Sequence, residues 1–185
     1  MEIKKQRYYF STRDLILMAL LGAIGGSFIL TTKPLCALMP VQFPGLCGLI
    51  FIPINTIFLL CARGLVGKFG AATFTDFAGG FVSFMLPGGP SILLLFPLSG
   101  FVIDVFLSLI RHEVDDSRII STVSGFIPHV FSTFYMYWGF SIVLGKPLPF
   151  IPFIAVFMGL HGIVGALGGF FAYHILKRVR AKYHG

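Results

Sequence analysis

Six apolar stretches, each near the length of a bilayer crossing and each ended by charge, Pro or Gly, leave this chain few ways to fold. A helix needs about 20 apolar residues to cross a hydrocarbon layer of about 30 Å. The stretches run over about residues 14–32, 45–62, 64–86, 90–110, 119–144 and 151–176. A tight charged turn, ARGLVGK, joins the second to the third, and PGGP joins the third to the fourth, so these are expected to be antiparallel neighbours. Only 11% of the residues are charged, where an average soluble domain has about 25%. The 22 Phe exceed what a soluble core of this size would bury. The expected fold is an all-α integral membrane protein, one domain over residues 1–185, built as a bundle of six transmembrane helices.

Orientation follows from Lys and Arg. Twelve of the 14, among them Arg13, Arg63, Lys68, Arg111, Arg118 and Arg180, fall at one end of the bundle, and only Lys33 and Lys146 at the other. Both termini are therefore expected in the cytoplasm. The net charge of +7 is accounted for as a topology signal, and no nucleic-acid partner is expected. The first stretch is read as a helix and not as a cleaved leader, because TTKPLCALMPVQFPG lacks a convincing A-x-A site. Cys36, Cys47 and Cys61 form no C-x-x-C pair and lack His at ligand spacing, so they read as small apolar fillers. No metal site is expected.

Ionisable groups inside a bilayer are costly and tend to face a bundle interior or cavity. Asp76, His129 and His161 fall near the middle of their spans, as does Asn55, while Asp104 lies close to the cytoplasmic end. Each acid or His sits in a narrow polar or small stripe at helical spacing: Thr73, Asp76, Gly80 and Ser83; Pro97, Gly100, Asp104 and Ser108; Met158, His161, Gly165 and Gly168. In the fifth span the stripe is read as His129, Ser132 and Tyr135, with Trp138 one turn further out. Asp104 is expected to have a structural ion partner, Arg111 or Arg118. Asp76 is expected either to meet a ligand or to be held by a Ser or Thr of a neighbouring helix.

Catalytic motifs are absent. Gly67-Lys68 is followed by Phe69, where a phosphate-binding loop needs a Mg²⁺-binding hydroxyl, and neither H-E-x-x-H nor G-x-S-x-G occurs. The chain is expected to use no cofactor of its own and to bind rather than to pump. Two other readings stay open: an intramembrane enzyme using His129, His161 and an Asp, and a structural membrane subunit.

The first span carries Ala19-Leu-Leu-Gly-Ala23, with Gly22, Gly25 and Gly26 beside it. With six spans, this length and a short basic N-terminal segment, the chain resembles the substrate-binding (S) components of energy-coupling factor (ECF) transporters, whose first helix carries A-x-x-x-A. A narrower likeness, to the thiamine and hydroxymethylpyrimidine type, lies in Gly70–Leu109, with its Gly-Ala-Ala start, its Gly/Pro turn and its two acids. Those members carry Glu where this chain has Asp76 and Asp104. The resemblance implies a multi-pass protein of a prokaryotic cell membrane that is not itself an enzyme. Such a protein captures a small vitamin or precursor from outside and delivers it with a transmembrane coupling protein and two ATPases, which hydrolyse the ATP. It assigns Ala19, Gly22 and Ala23 to the coupling protein, whereas Gly25 and Gly26 are expected to meet the Gly-rich face of the sixth span. The expected ligand set is Asp76, Phe96, His129, Tyr135, Trp138 and His161, since pockets of this kind are aromatic with a few placed polar groups. Membrane lipid is the remaining expected partner.

Overall fold

Residues 9–37, 46–84, 97–144 and 151–183 are described by the structure, a computed structural model. Among them run six helices: α1 (Thr12–Ala37), α2 (Leu46–Val66), α3 (Ala71–Phe84), α4 (Pro97–Ile110), α5 (Arg118–Leu144) and α6 (Ile151–Tyr183). α1 opens on a reciprocal cap, in which the Asp14 N–H donates to Ser11 Oγ at 3.2 Å and the Ser11 N–H to the Asp14 carboxylate at 3.0 Å. α2 is the hub and touches each of the other five helices. α1 packs on α3, α4 joins α3 to α5, and α5 and α6 share an extensive face.

The amphipathic pattern is inverted. On α3, Ala72, Thr75, Asp76, Gly79, Gly80 and Ser83 are buried, while Phe74, Phe77, Phe81 and Phe84 are exposed. Phe101 on α4, Phe131 and Phe134 on α5 and Phe171 on α6 are also exposed. Polar groups therefore line the interior and large apolar rings the outside, which is how a bundle packs when its surroundings are more apolar than its own backbone contacts. Two helices are long and apolar enough, as described, to cross a bilayer: Gly48–Val66 with a mean hydropathy of 2.0 and Ile151–Lys182 with 1.9.

Glycines set the helix spacing. A Cβ on Gly22 would meet the Thr75 carbonyl and Ala78, and one on Gly26 the Gly79 backbone, so α1 lies against α3 backbone to backbone. Gly100 meets the Ala72 carbonyl across α3 and α4 in the same way. Gly125 and Gly165 face each other across α5 and α6, Gly169 faces Ser121, and Gly168 faces Pro53 of α2. Small residues allow such approach, and close van der Waals packing drives helix association where lipid competes for apolar contact.

This packing corrects two expectations for α1. Gly22 is turned inward against α3, whereas Ala19 is exposed and Ala23 half-buried. Gly25 and Gly26 meet α2 and α3, not the sixth helix, whose own glycines contact α5 and α2. Helix ends shift as well. α2 continues through Gly64, where Leu176 of α6 lies against the bare backbone, and the turn to α3 is made by Gly67 (φ 65°) and Gly70 (φ 89°). α6 runs past residue 176 because Arg180 donates to the Gly64 carbonyl at 2.8 Å and pairs with Asp115. Lys68 reaches Asp14 at 2.7 Å, so the start of α1, the end of α6 and the α2–α3 and α4–α5 connections share one end of the bundle, called here the basic end.

Gly26→Leu should push α1 off the Gly79 backbone and cost at least about 1–3 kcal/mol. Gly159→Ala should be neutral or stabilise by up to about 1 kcal/mol, since among the described residues no atom of a packed neighbour lies within 4 Å of a Cβ there. Thermal unfolding of the purified protein in detergent compares the two. Equal stability of both variants would remove the glycine contact from the account.

Candidate functional site

Three polar clusters, each buried and each including α2, order the interior. In the first, Asp76 of α3 lies between α2 and α4 and is 1% exposed. Its Oδ2 accepts from Ser99 Oγ at 2.5 Å and from the Gly100 N–H at 2.8 Å, and its Oδ1 from Asn55 Nδ2 at 3.4 Å. Gly100 is required twice over, since a side chain there would strike both Ala72 and the Asp76 Cβ. A carboxyl with three donors from two helices is a packing element. The Asp76 of this chain is thus held by a Ser, one of the two readings the sequence left open.

The second cluster joins α2, α5 and α6. Thr56 Oγ1 donates to the Ile52 carbonyl at 2.7 Å and lies 2.5 Å from His129 Nε2. Thr133 Oγ1 donates to the His129 carbonyl at 2.6 Å and lies 2.7 Å from His161 Nδ1. A hydroxyl has one proton, so in each case the ring N–H must donate to the Thr oxygen. His129 is then protonated at Nε2 and His161 at Nδ1, which leaves His161 Nε2 an acceptor in the neutral ring. That nitrogen faces α2 at Gly48, where a Cβ would sit 2.9 Å away.

Beyond His161, towards the end of the bundle opposite the basic end, lies an aromatic group. Phe157 meets the His161 ring edge-on at 5.9 Å, Phe153 at 4.7 Å and Tyr137 at 6.5 Å between centroids. Tyr137 is 6% exposed, and its hydroxyl has no hydrogen-bond partner among the described residues. A buried hydroxyl left unpaired costs about 1–3 kcal/mol. Tyr137 is a residue that sequence reasoning missed. The signal was present as His129-x-x-x-Thr133-x-x-x-Tyr137, a strict four-residue stripe on α5 that faces α6. The three-residue alternative, His129, Ser132 and Tyr135, turns away from it. Tyr135 is half-buried beside Trp138 at 6.1 Å, and Trp138 is 47% exposed on the outside of the bundle. Phe96 lies outside the described residues.

The third cluster closes the basic end. Asp104, expected to pair with Arg111 or Arg118, pairs with Arg63 of α2 instead, Nε to Oδ1 at 3.2 Å, with both side chains buried. The Thr73 N–H and hydroxyl both donate to Asp104 Oδ2, at 2.9 and 2.7 Å. The carboxylate therefore caps the first turn of α3, where unpaired N–H groups and the helix dipole favour an anion. Arg111 and Arg118 lie past the end of α4 and cannot supply a buried partner there, and Arg63 reaches in from the hub. Arg63 also approaches Glu113 at 4.0 Å. In the loop beyond, the Glu113 N–H and then the His112 ring hold the Asp116 carboxyl below the usual carboxylate range.

No hydrogen bond joins Asp76 to either His among the described residues; the acid and the two imidazoles belong to different clusters. The arrangement offers a buried hydroxyl and aromatic edges, which are means of recognition.

No protein-family model and no curated protein sequence matches this chain. A solved structure, the crystal structure of an S-component of ECF transporter, matches it with a TM-score of 0.76 at 18% identity, over 94% of this chain and 87% of that one. The six-helix bundle described above therefore has the fold of that S component.

Breaking the buried ion pair from one side, Arg63→Ala, should cost about 3–5 kcal/mol by stranding the Asp104 charge. The double change Arg63→Met with Asp104→Leu should recover part of that loss. Unfolding temperatures of the single and double variants measure the difference, and a double variant no better than the single would mean that Thr73 and Asp104, not the pair, hold this end.

Proposed function

We propose that this chain is the substrate-capture subunit of an ECF-type transporter, embedded in a cell membrane with its basic end in the cytoplasm. The observation that carries the reading is the fold it shares with a solved S component over nearly its whole length. The inverted surface supports membrane insertion, with Phe74, Phe77 and Phe81 exposed over a buried Asp76. The basic end supports the orientation, because Lys and Arg concentrate on the cytoplasmic side of multi-pass proteins. In this reading the small molecule enters from the opposite end and meets the Tyr137–Phe157–His161 group. A flat heteroaromatic ligand with an acceptor for the Tyr137 hydroxyl suits it. Thiamine or its hydroxymethylpyrimidine precursor is the finer proposal, supported by the likeness of the Gly70–Leu109 segment and by these groups. ATP hydrolysis falls to two partner ATPases acting through a coupling protein.

The coupling contact is proposed for the outer face of α1. Ile16, Leu20 and Ile24 are exposed there around Ala19, so a second apolar helix finds a shallow seat with large side chains at its rim. Gly22 contributes indirectly, by fixing α1 on α3.

Purified protein should bind one vitamin or precursor tightly without nucleotide, and Tyr137→Phe should weaken that binding by roughly two- to tenfold, the worth of one hydrogen bond. Calorimetry against a panel including thiamine and hydroxymethylpyrimidine checks both, together with native mass spectrometry of the protein as isolated. A protein that retains nothing and answers to no member of the panel is not a capture subunit for this class.

Ala19→Trp and Ala23→Trp should leave ligand binding by the isolated chain intact while abolishing uptake by cells and co-purification with the coupling protein. Uptake that survives both substitutions would assign that face another role.

A further inference from the structure

A groove of about 330 Å³ runs between α4 and α5, lined by Phe101, Val105 and Leu109 on one side and Ile127 and Phe131 on the other. Its volume falls within the roughly 300–1,000 Å³ of ligand sites. It faces outward, with Phe131 58% and Leu109 76% exposed, and shares no lining residue with the Tyr137–His161 group or the outer face of α1. Leu109 is its lining residue nearest the basic end, and two residues on, just past the end of α4 at Ile110, comes Arg111.

Arg111 has φ 53°, the left-handed seat, and the His112 N–H bonds back to the Leu107 carbonyl at 3.3 Å, so the turn is a Schellman motif with Arg at its glycine position. Arg in this seat is strained, and Gly would relieve it. No acid pairs with Arg111 among the described residues. The other charges of the connection are engaged: Glu113 lies near Arg63, Asp115 pairs with Arg180, and Asp116 with His112. Arg118 stacks over Phe170 at 5.5 Å, towards α6. Arg111 is therefore an exposed cation with neither an acid nor a ring partner among the described residues, just past the basic end of an outward apolar groove, held there at a cost to its own backbone.

We infer that the α4–α5 groove is a binding site for an anionic phospholipid, one acyl chain lying along Phe101–Leu109 and Phe131 and the headgroup phosphate meeting Arg111. A single basic residue at the interface gives roughly fivefold preference for an anionic over a zwitterionic headgroup. The inference rests on membrane insertion alone and not on the identity of the transported molecule.

Native mass spectrometry of the full chain, taken from bilayers of equal phosphatidylglycerol and phosphatidylcholine, tests it. The wild type should retain one phosphatidylglycerol with a roughly fivefold preference. Arg111→Gly, which suits φ 53°, should fold at least as stably yet retain both lipids equally. Val105→Phe, which fills the groove, should lose the retained lipid of either kind while Arg111 remains. Equal retention of the two lipids by the wild type would overturn the inference, as would a preference that persists in Arg111→Gly. Vitamin binding measured on the same samples reads the transport proposal separately.

Discussion

Direct backbone contact between helices is the constraint on which the rest of this bundle depends. In water, buried Phe and Leu would hold helices together. Here the Phe of α3 point outward, and Gly22, Gly26 and Gly79 point in. In the proposed membrane setting an apolar surrounding would remove the hydrophobic incentive to bury a ring, so association would come from close packing and from polar groups that find each other. Both terms improve as helices approach. The Gly100 contact with Ala72 illustrates the coupling: the same closeness that saves a side chain's width delivers the Gly100 N–H to Asp76. Widening that gap would cost packing and strand a buried carboxyl together.

α2 converts these pairwise contacts into one fold. Its neighbours Asn55 and Thr56 point to different clusters, Asn55 to Asp76 and Thr56 to His129. Two turns on, Arg63 meets Asp104 and so anchors the start of α3 as well as the end of α4. Buried polar groups in a medium without water must be satisfied internally. A hub that offers one polar residue to each neighbour thereby fixes which helix lies where, which apolar packing alone would leave degenerate.

Hydropathy made the six helices and their order legible, because a crossing length is a property of one segment. The partners of Asp104 and Gly26 were not legible, because they depend on which segments are adjacent. Arg111 and Arg118 are close to Asp104 in sequence, and Arg63 is close to it only after α2 and α4 have docked. The α2–α3 turn was misplaced because Gly64 reads as a breaker until Leu176 is seen lying on it. On α5 the difficulty was periodicity itself. His129 can begin a stripe at three or at four residues, and only contact with α6 selects Thr133 and Tyr137 over Ser132 and Tyr135. The Tyr137 hydroxyl, the most site-like group in the outer half, was therefore hidden one helical step from the residues that drew attention.

The distribution of satisfied and unsatisfied groups separates architecture from recognition. Asp76 has the strongest functional look in the sequence, yet its oxygens are occupied by Ser99, Gly100 and Asn55, and a ligand reaching it would have to displace two helices' worth of bonds. His129 is likewise enclosed by Thr56. Tyr137 has a buried hydroxyl with no partner among the described residues, beside aromatic edges and one turn from the Thr133–His161 bond. A buried group keeps an unmet hydrogen bond at a cost to stability, and a ligand that meets it recovers that cost on binding. Polar groups near the middle of the bundle therefore hold the helices in place, and in the proposed capture role selectivity for a small molecule would fall to the outer aromatic layer, where holding the fold together asks less of each side chain.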